Sequence, residues 1–368
     1  MSMILTSLLV RNFRMIHETS LSLDSGMQLF LGRNAEGKTS LVESVLFLST
    51  STSHRTRREE ELISWDEQVA FLRGEIDDGG EQRTIECGLE KQRKVIKING
   101  VALPRVGDLY GQLRTVLFAP EDLTIVGGSP QDRRRFLDIA IAQIDPAYIH
   151  ILQQFRRALR QRNWILKRLQ KQKSSTGDKE LEVWNLSFVS FAAQVIAQRT
   201  RTISQLAPYV EEYYAALADD GPLQVSYSYD IEEDIEVIET YLRDKLSRIQ
   251  QSEIERGSSQ FGPHRDDLVL MLAGKNLGQF GSQGQRRAAV LALRLAQARL
   301  CRECVGYWPL LLIDDVIHEM DNNRRERFWR HIDPEGQIIV TATDREILGS
   351  GVEPTKIFKV QNGSISVD

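Results

Sequence analysis

Hydrophobic positions change period along this chain, and the changes divide it. Near the N-terminus the period is two: residues 4–10 and 21–23 alternate as strands do, with Arg11-Asn12-Phe13-Arg14 between them. Residues 27–31 (Met-Gln-Leu-Phe-Leu) read as a short buried strand, and residues 39–48 are apolar at helical spacing. Strand patterns return at 69–75, 84–89 and 95–98. They are separated by Asp77-Asp78-Gly79-Gly80 and Asn99-Gly100, both strong turn signals, which predicts an antiparallel meander. From residue 131 the period lengthens. Residues 131–144 predict a helix ending near Asp145-Pro146. Leu152, Phe155, Leu159, Leu166 and Leu169 mark a second, of about 28 residues and roughly 40 Å. Trp184, Phe188, Phe191, Val195, Ile203, Leu206, Val210 and Tyr213 mark its antiparallel partner beyond an exposed turn at 173–178, and Pro208 should kink or end that partner. Strands are then expected at 225–229, 268–272, 310–313, 338–341 and 356–360, and helices at 232–256 and 283–301. The predicted fold is α/β, with a discontinuous head (residues 1–129 and 251–368) and an inserted helical arm (130–250).

A length of 368 residues suits about two domains. With 41% apolar and 27% charged residues the composition is that of an ordinary globular chain. The net charge of −4 excludes a uniformly basic protein, so any nucleic-acid surface must be local. No apolar run approaches the roughly 20 residues that span a bilayer. No signal peptide is evident in residues 1–6. Three cysteines do not make a disulfide framework, and a cytoplasmic location is expected. Cys301-x-x-Cys304 lacks the second pair of a zinc site, so both are expected as small apolar residues of a packed helix.

Candidate chemistry begins at Gly32-Arg33-Asn34-Ala35-Glu36-Gly37-Lys38-Thr39, followed by Ser40, which matches the phosphate-binding loop G-x-x-x-x-G-K-[ST] between a strand and a helix. Backbone N–H groups and the positive helix end would cradle phosphates. Lys38 would reach the β- and γ-phosphates and the Thr39 hydroxyl would sit on Mg²⁺. Taken alone, the letters also suit a plain strand-to-helix turn. A second half lies downstream: Leu310-Leu311-Leu312-Ile313 ends in Asp314-Asp315. Asp314 is the expected metal-side carboxylate and Asp315 the group that orients or deprotonates the attacking water. Paired acids also cap helices, but a buried strand rarely ends in two unpaired charges. Ser282-Gln283-Gly284-Gln285 opens the helix at 283–301, both as a capping box and as a second anion site. The order loop, serine motif, Asp-Asp is that of ABC-type ATPases, in which the serine motif of one protomer completes the nucleotide site of another. On the arm, Arg156, Arg157, Arg160, Arg162, Lys167, Arg168, Lys171 and Lys173 come with no acid between them. That run suits DNA phosphate contacts as well as a solvated helix face. His54-Arg55 and Arg57-Arg58 form a second basic patch, while Arg133, Arg134 and Arg135 are expected to pair with head acids.

These motifs resemble the RecF family of bacterial recombination-mediator ATPases, related to SMC-type ABC heads. The likeness runs nearly end to end: Arg11-Asn12-Phe13-Arg14, residues 120–138 (PEDLTIVGGSPQDRRRFLD), Gly262-Pro263-His264-Arg265-Asp266-Asp267 and Ile313-Asp314-Asp315-Val316. Four positions depart from the family pattern. Ala35 replaces a loop glycine, Arg286 replaces a glutamine, and His318 and Met320 replace serine and leucine after the acidic pair. The resemblance implies an ATP- and Mg²⁺-dependent homodimer that binds double-stranded and gapped DNA or single-strand junctions. It implies slow, DNA-dependent ATP hydrolysis, RecO and RecR as partners, RecA loading at gaps, and no membrane association. Three other readings fit less well. A transporter ATPase would carry a switch histidine where Thr341-Ala342-Thr343-Asp344 stands. An SMC-like tether needs an arm of hundreds of residues. A nuclease needs a further carboxylate cluster.

Overall fold

The computed structural model describes residues 3–91, 93–173, 179–229, 233–333, 335–349 and 351–368. A glycine-loop strand, a helix and two sheets organise the head. β1 (Met3–Phe13), β2 (Ile16–Ser22) and β3 (Met27–Leu31) lead into α1 (Lys38–Thr50). β4 (Val69–Asp78), β5 (Glu81–Glu90), β6 (Arg93–Ile98) and β7 (Val101–Ala102) follow as the expected meander, completing a six-stranded sheet in the order β2-β1-β4-β5-β6-β7. β8 (Thr115–Phe118), α2 (Leu123–Gly127) and α3 (Pro130–Ile144) lead to the arm helices α4 (Ala147–Gln172) and α5 (Lys179–Leu217). β9 (Leu223–Tyr227), α6 (Ile235–Arg256), β10 (Leu268–Leu272), β11 (Lys275–Asn276) and α7 (Leu277–Phe280) precede the long α8 (Gln283–Val305). The chain closes with β12 (Leu310–Asp314), α9 (Asn322–Arg330), β13 (Ile338–Ala342), β14 (Lys356–Gln361) and β15 (Ser364–Val367).

The second six-stranded sheet runs β15-β14-β3-β13-β12-β8, and all its pairings except β14 with β15 are parallel. α1 is wedged between the two sheets, and every residue of it except Thr39 is buried, its polar side chains included. The pleat sorts the parallel strands between two cores. Leu310, Leu312 and Ile339 face α1, whereas Leu311, Ile313, Ile338 and Val340 face the layer that contains α5 and α8. This alternation is what later brings Asp314 and Thr341 onto the α1 side.

The arm differs from the expected helix pair. α6 packs on both α4 and α5, so the arm is a three-helix bundle with its own small core of Ile165, Leu166, Leu169, Leu181 and Ile254. The boundary expected at residue 250 falls inside α6. Arg162, expected in the basic run, is fully buried. It pairs with Glu253, donates to Asn185 Oδ1 (2.7 Å) and Ser259 Oγ (2.6 Å), and lies over the Phe188 ring. A buried charge is tolerable only when fully engaged in this way. Pro208 does not end α5, which continues to Leu217. Proline forfeits the bond to the Ser204 carbonyl and strains the turn by about 3 kcal/mol. Burying Leu206, Val210, Tyr213, Tyr214 and Leu217, at about 1.5–3 kcal/mol for each large apolar side chain, outweighs that. Apart from Lys173, the expected turn at 173–178 lies outside the described residues. β8, α9 and β15 were not expected. Cys301 is buried on α8 as expected, but Cys304 near its end is exposed. No helix among the described residues is long and apolar enough to cross a membrane.

Candidate nucleotide site

The loop between β3 and α1 is shaped by its glycines and by the C-terminal hairpin. A Cβ on Gly32 would meet the Val360 carbonyl at 2.4 Å, and Gly37 caps α1 at φ 111°. Gly363, in the β14–β15 turn, donates from its N–H to the Glu36 carbonyl at 2.9 Å. Its own Cβ would sit 2.0 Å from the Met15 carbonyl. The hairpin therefore clamps the loop from behind, a role carried by an ordinary Asn-Gly turn in the sequence. Inside the loop, the Glu36 carboxylate accepts from the Arg33 N–H (2.8 Å). Arg33, Asn34 and Ala35 are exposed at its rim.

Ala35 holds φ 66°, the left-handed region that an L side chain occupies at a cost of roughly 1–2 kcal/mol. Glycine there forfeits roughly 0.5–1 kcal/mol of chain entropy. Ala35→Gly should therefore stabilise the protein by about 0.5–1 kcal/mol in urea unfolding. A loss of stability would show that the loop carries no strain at this position.

Lys38 is buried, and its Nζ donates to the carbonyls of Gly32 (2.8 Å) and Arg33 (3.0 Å), holding the ammonium across the loop. Thr39 follows at the mouth. β12 and β13 pair in parallel with Asp314 opposite Thr341. The pleat turns both toward α1. Asp314 Oδ1 accepts from Thr39 Oγ1 (3.2 Å) and Thr341 Oγ1 (2.7 Å). Burial pushes the Asp314 carboxyl up to about 6, with the two hydroxyls pulling the other way. The donors gathered here are hydroxyl and carboxylate oxygens, which fit Mg²⁺ shared with phosphates and water.

Asp315 continues the strand in a left-handed conformation, φ 52°, a strained state of the sort that collects at functional sites. Its N–H donates to Thr341 Oγ1 (3.1 Å), and its Oδ1 is buried without a hydrogen-bond partner among the described residues. His318 Nε2 lies 3.8 Å from that oxygen and accepts from the Thr343 N–H (3.2 Å). The family-atypical histidine thus stands against the strand end that a switch histidine would occupy. Thr341 was missed as a site residue, although it lies in a run already marked as a strand end.

The serine motif sits elsewhere. Ser282 Oγ accepts from the Gln285 N–H (3.2 Å), and Gln285 Oε1 from the Ser282 N–H (2.9 Å). Ser282 and Gln283 are exposed, with Gly284 half-buried. No hydrogen bond or ion pair joins residues 282–285 to residues 32–40 among the described residues. The structure brings the loop, Asp314 and Asp315 together and leaves the serine motif facing outward.

The basic residues divide. Arg156 pairs with Asp138 (3.3 Å), Arg168 with Glu180 (2.9 Å), and Arg55 lies 4.0 Å from Glu121. The absence of acids within the run is therefore compensated from other elements. Arg157, Arg160 and Lys167 are exposed and make no ion pair among the described residues. With the exposed Trp164 they form one stripe of α4, spaced by three and four residues. Arg133 forks onto Asp267 (2.6 and 2.8 Å), as expected for a head-acid pair. Among the described residues, Arg134 and Arg135 reach only the backbone carbonyls of Asp266 and Ser53.

Comparison with known proteins agrees with this architecture. Residues 4–366 match the family described as RecF/RecN/SMC N terminal domain. The DNA replication and repair protein RecF of Oceanobacillus iheyensis is 36% identical over 361 residues, covering 96% of this chain and 98% of that one. The RecF of Bacillus subtilis is 34% identical, covering 99% and 100%. A solved structure of the recombination mediator protein RecF-ATP in the RecFOR pathway superposes with a TM-score of 0.91 at 30% identity, covering 100% of this chain and 98% of that one. An Smc head domain from Pyrococcus furiosus, 17% identical with a TM-score of 0.56, shares the fold.

Proposed function

The chain belongs to the RecF family of DNA replication and repair proteins, and we propose that it is an ATP-switched DNA-binding dimer of recombinational repair. One observation carries the reading. Thr39 meets Asp314 across the two halves of the head, while the Ser282 motif is exposed and detached from its own loop. A half-site of this kind is completed by a second copy. Lys38 and the loop N–H groups hold the β- and γ-phosphates, and Ser282 of the partner closes over the γ-phosphate. Thr39 and Asp314 would hold Mg²⁺, which neutralises phosphate charge when bound. Asp315, with a desolvated oxygen that has no hydrogen bond among the described residues, orients the attacking water and accepts its proton. Hydrolysis is slow and releases the dimer. RecO, RecR and, indirectly, RecA are the partners that family membership suggests. Sedimentation velocity tests the core of this: a monomer without nucleotide should become a dimer with Mg²⁺-ATP, and an unchanged coefficient would remove the reading.

Asp314 supplies a second test, with its sign fixed by linkage. Its carboxyl titrates near 6 in the fold against 3.8 when unfolded. The folded state therefore binds the proton more tightly, and stability is lost as pH rises through that interval. The loss amounts to about 3 kcal/mol. Asp314→Asn should stabilise the nucleotide-free protein at neutral pH and flatten its stability between pH 4 and 6, while hydrolysis with Mg²⁺ is lost. Thermal unfolding across pH checks the first part and a phosphate-release assay the second.

For DNA, the exposed stripe of α4 is the proposed contact. Replacing Arg157, Arg160 and Lys167 together by alanine should weaken binding uniformly across sequences and lower the salt slope by about 3. Fluorescence anisotropy on gapped and blunt duplexes measures both. An unchanged slope would put the DNA elsewhere.

A further inference from the structure

A cleft of about 640 Å³ opens between the loop after α1, helix α3 and the base of α4. It lies at the opposite end of α1 from the phosphate loop. Thirteen residues of helix separate the two sites by roughly 20 Å. Arg57, Arg134, Arg135 and Arg156 line it together with two acids, Glu59 and Asp138. Both acids are already engaged. Asp138 accepts from Tyr148 Oη (2.6 Å), Arg199 Nη2 (2.8 Å) and Arg156 Nη2 (3.3 Å), and Glu59 pairs with Lys94.

Three guanidinium groups are left over. Arg134 and Arg135, neighbours on α3, each donate to one neutral carbonyl and, among the described residues, to no carboxylate. Arg57 makes no hydrogen bond or ion pair among the described residues. Each guanidinium carries five N–H donors, so most of theirs are unused. Burial first, and then Arg57 beside it, hold Arg135 below its ordinary value. Burial and then Arg199 do the same for Arg134. Ser51 adds a hydroxyl that is 2% exposed, lines the cleft and has no hydrogen-bond partner among the described residues. The C-terminal end of α1 brings roughly half a negative charge to the cleft, which three cations outweigh. Such a set of like charges, with Arg134 and Arg135 half-buried and Arg57 exposed at the rim of one cavity, is stabilised by an anion. The fork geometry of arginine suits phosphate oxygens better than a single point charge would.

We propose that this cleft is a second phosphate-binding site, distinct from the nucleotide loop, in which Arg57, Arg134 and Arg135 converge on a phosphate ester. The volume falls in the range of small-ligand sites and is too small for a duplex. The phosphate belongs either to the backbone of one DNA strand or to a free nucleotide.

The test uses the full-length protein in a Lys38→Ala background, which silences the phosphate loop. Pyrophosphate should raise the Tm of Lys38→Ala, and Arg57→Ala with Arg135→Gln should abolish that rise. A labelled oligo-dT should bind the doubly substituted protein about a hundredfold more weakly. Loss of both responses assigns the site to a DNA strand. Loss of the pyrophosphate response with unchanged oligo-dT binding assigns it to a free phosphate compound. A pyrophosphate response that survives the two substitutions overturns the proposal. So does a cleft that binds polyglutamate and not pyrophosphate. Arg57→Ala alone, at an exposed and unbonded residue, gives the same readout if the double substitution impairs folding.

Discussion

Lys38→Ala should leave a folded protein that no longer dimerises in ATP. The ammonium is buried, and two backbone carbonyls of the loop hold it in place, so it is positioned before any phosphate arrives. Each charge-assisted hydrogen bond contributes about 1.5–3 kcal/mol. Loss of contacts to two phosphates should weaken ATP binding by about a hundredfold to about ten-thousandfold. The fold should lose little, because the replaced bonds go to carbonyls at a solvent-facing loop. Isothermal titration would measure the affinity and ultracentrifugation the dimer. An ATP-induced dimer of undiminished strength would show that nucleotide is not what joins the protomers.

Ser282→Arg should separate binding from assembly. The capping box at α8 would be broken, which costs about 1 kcal/mol, and a cation would be placed at the positive end of the helix. Neither change touches the loop 32–40, from which the serine motif is detached in its own chain. ATP affinity should therefore stay within a few-fold of the unsubstituted protein. Dimerisation and hydrolysis should fall by at least about a hundredfold, because the arginine stands where γ-phosphate oxygens and a partner surface must fit. Equal loss of ATP binding would mean that Ser282 serves the nucleotide of its own protomer.

What could be read from the sequence alone was whatever depends on short-range pattern. The strand, glycine loop and helix around Lys38, the apolar strand into Asp314-Asp315 and the capping box at Ser282 are each contained within about two dozen consecutive residues. The meander was legible from its turns. What could not be read depends on long-range pairing. Thr341 becomes a partner of Asp314 only through the parallel register of β12 and β13. Gly363 matters only because the last hairpin folds back on the phosphate loop. Arg162 looked like one more surface cation in a basic run. It is a core residue because α6 brings Glu253 to it. Pro208 looked like a stop signal, and the apolar face around it carried the helix past. The departures at Ala35 and His318 were visible as letters. The strained φ of the one and the proximity of the other to Asp315 needed the fold.

The central claim is that each nucleotide site is built from two copies of the chain. The most direct test mixes Lys38→Ala and Ser282→Arg, each inactive alone, and measures ATP hydrolysis against protein concentration. A mixed dimer would contain one site with both defects and one intact site, joining Lys38 of one protomer to Ser282 of the other. Because neither variant dimerises on its own, only the mixed dimer forms, and activity should reappear in the mixture at up to about half the unsubstituted rate, one site in each dimer being intact. A mixture as inactive as its components at every concentration would contradict the shared site.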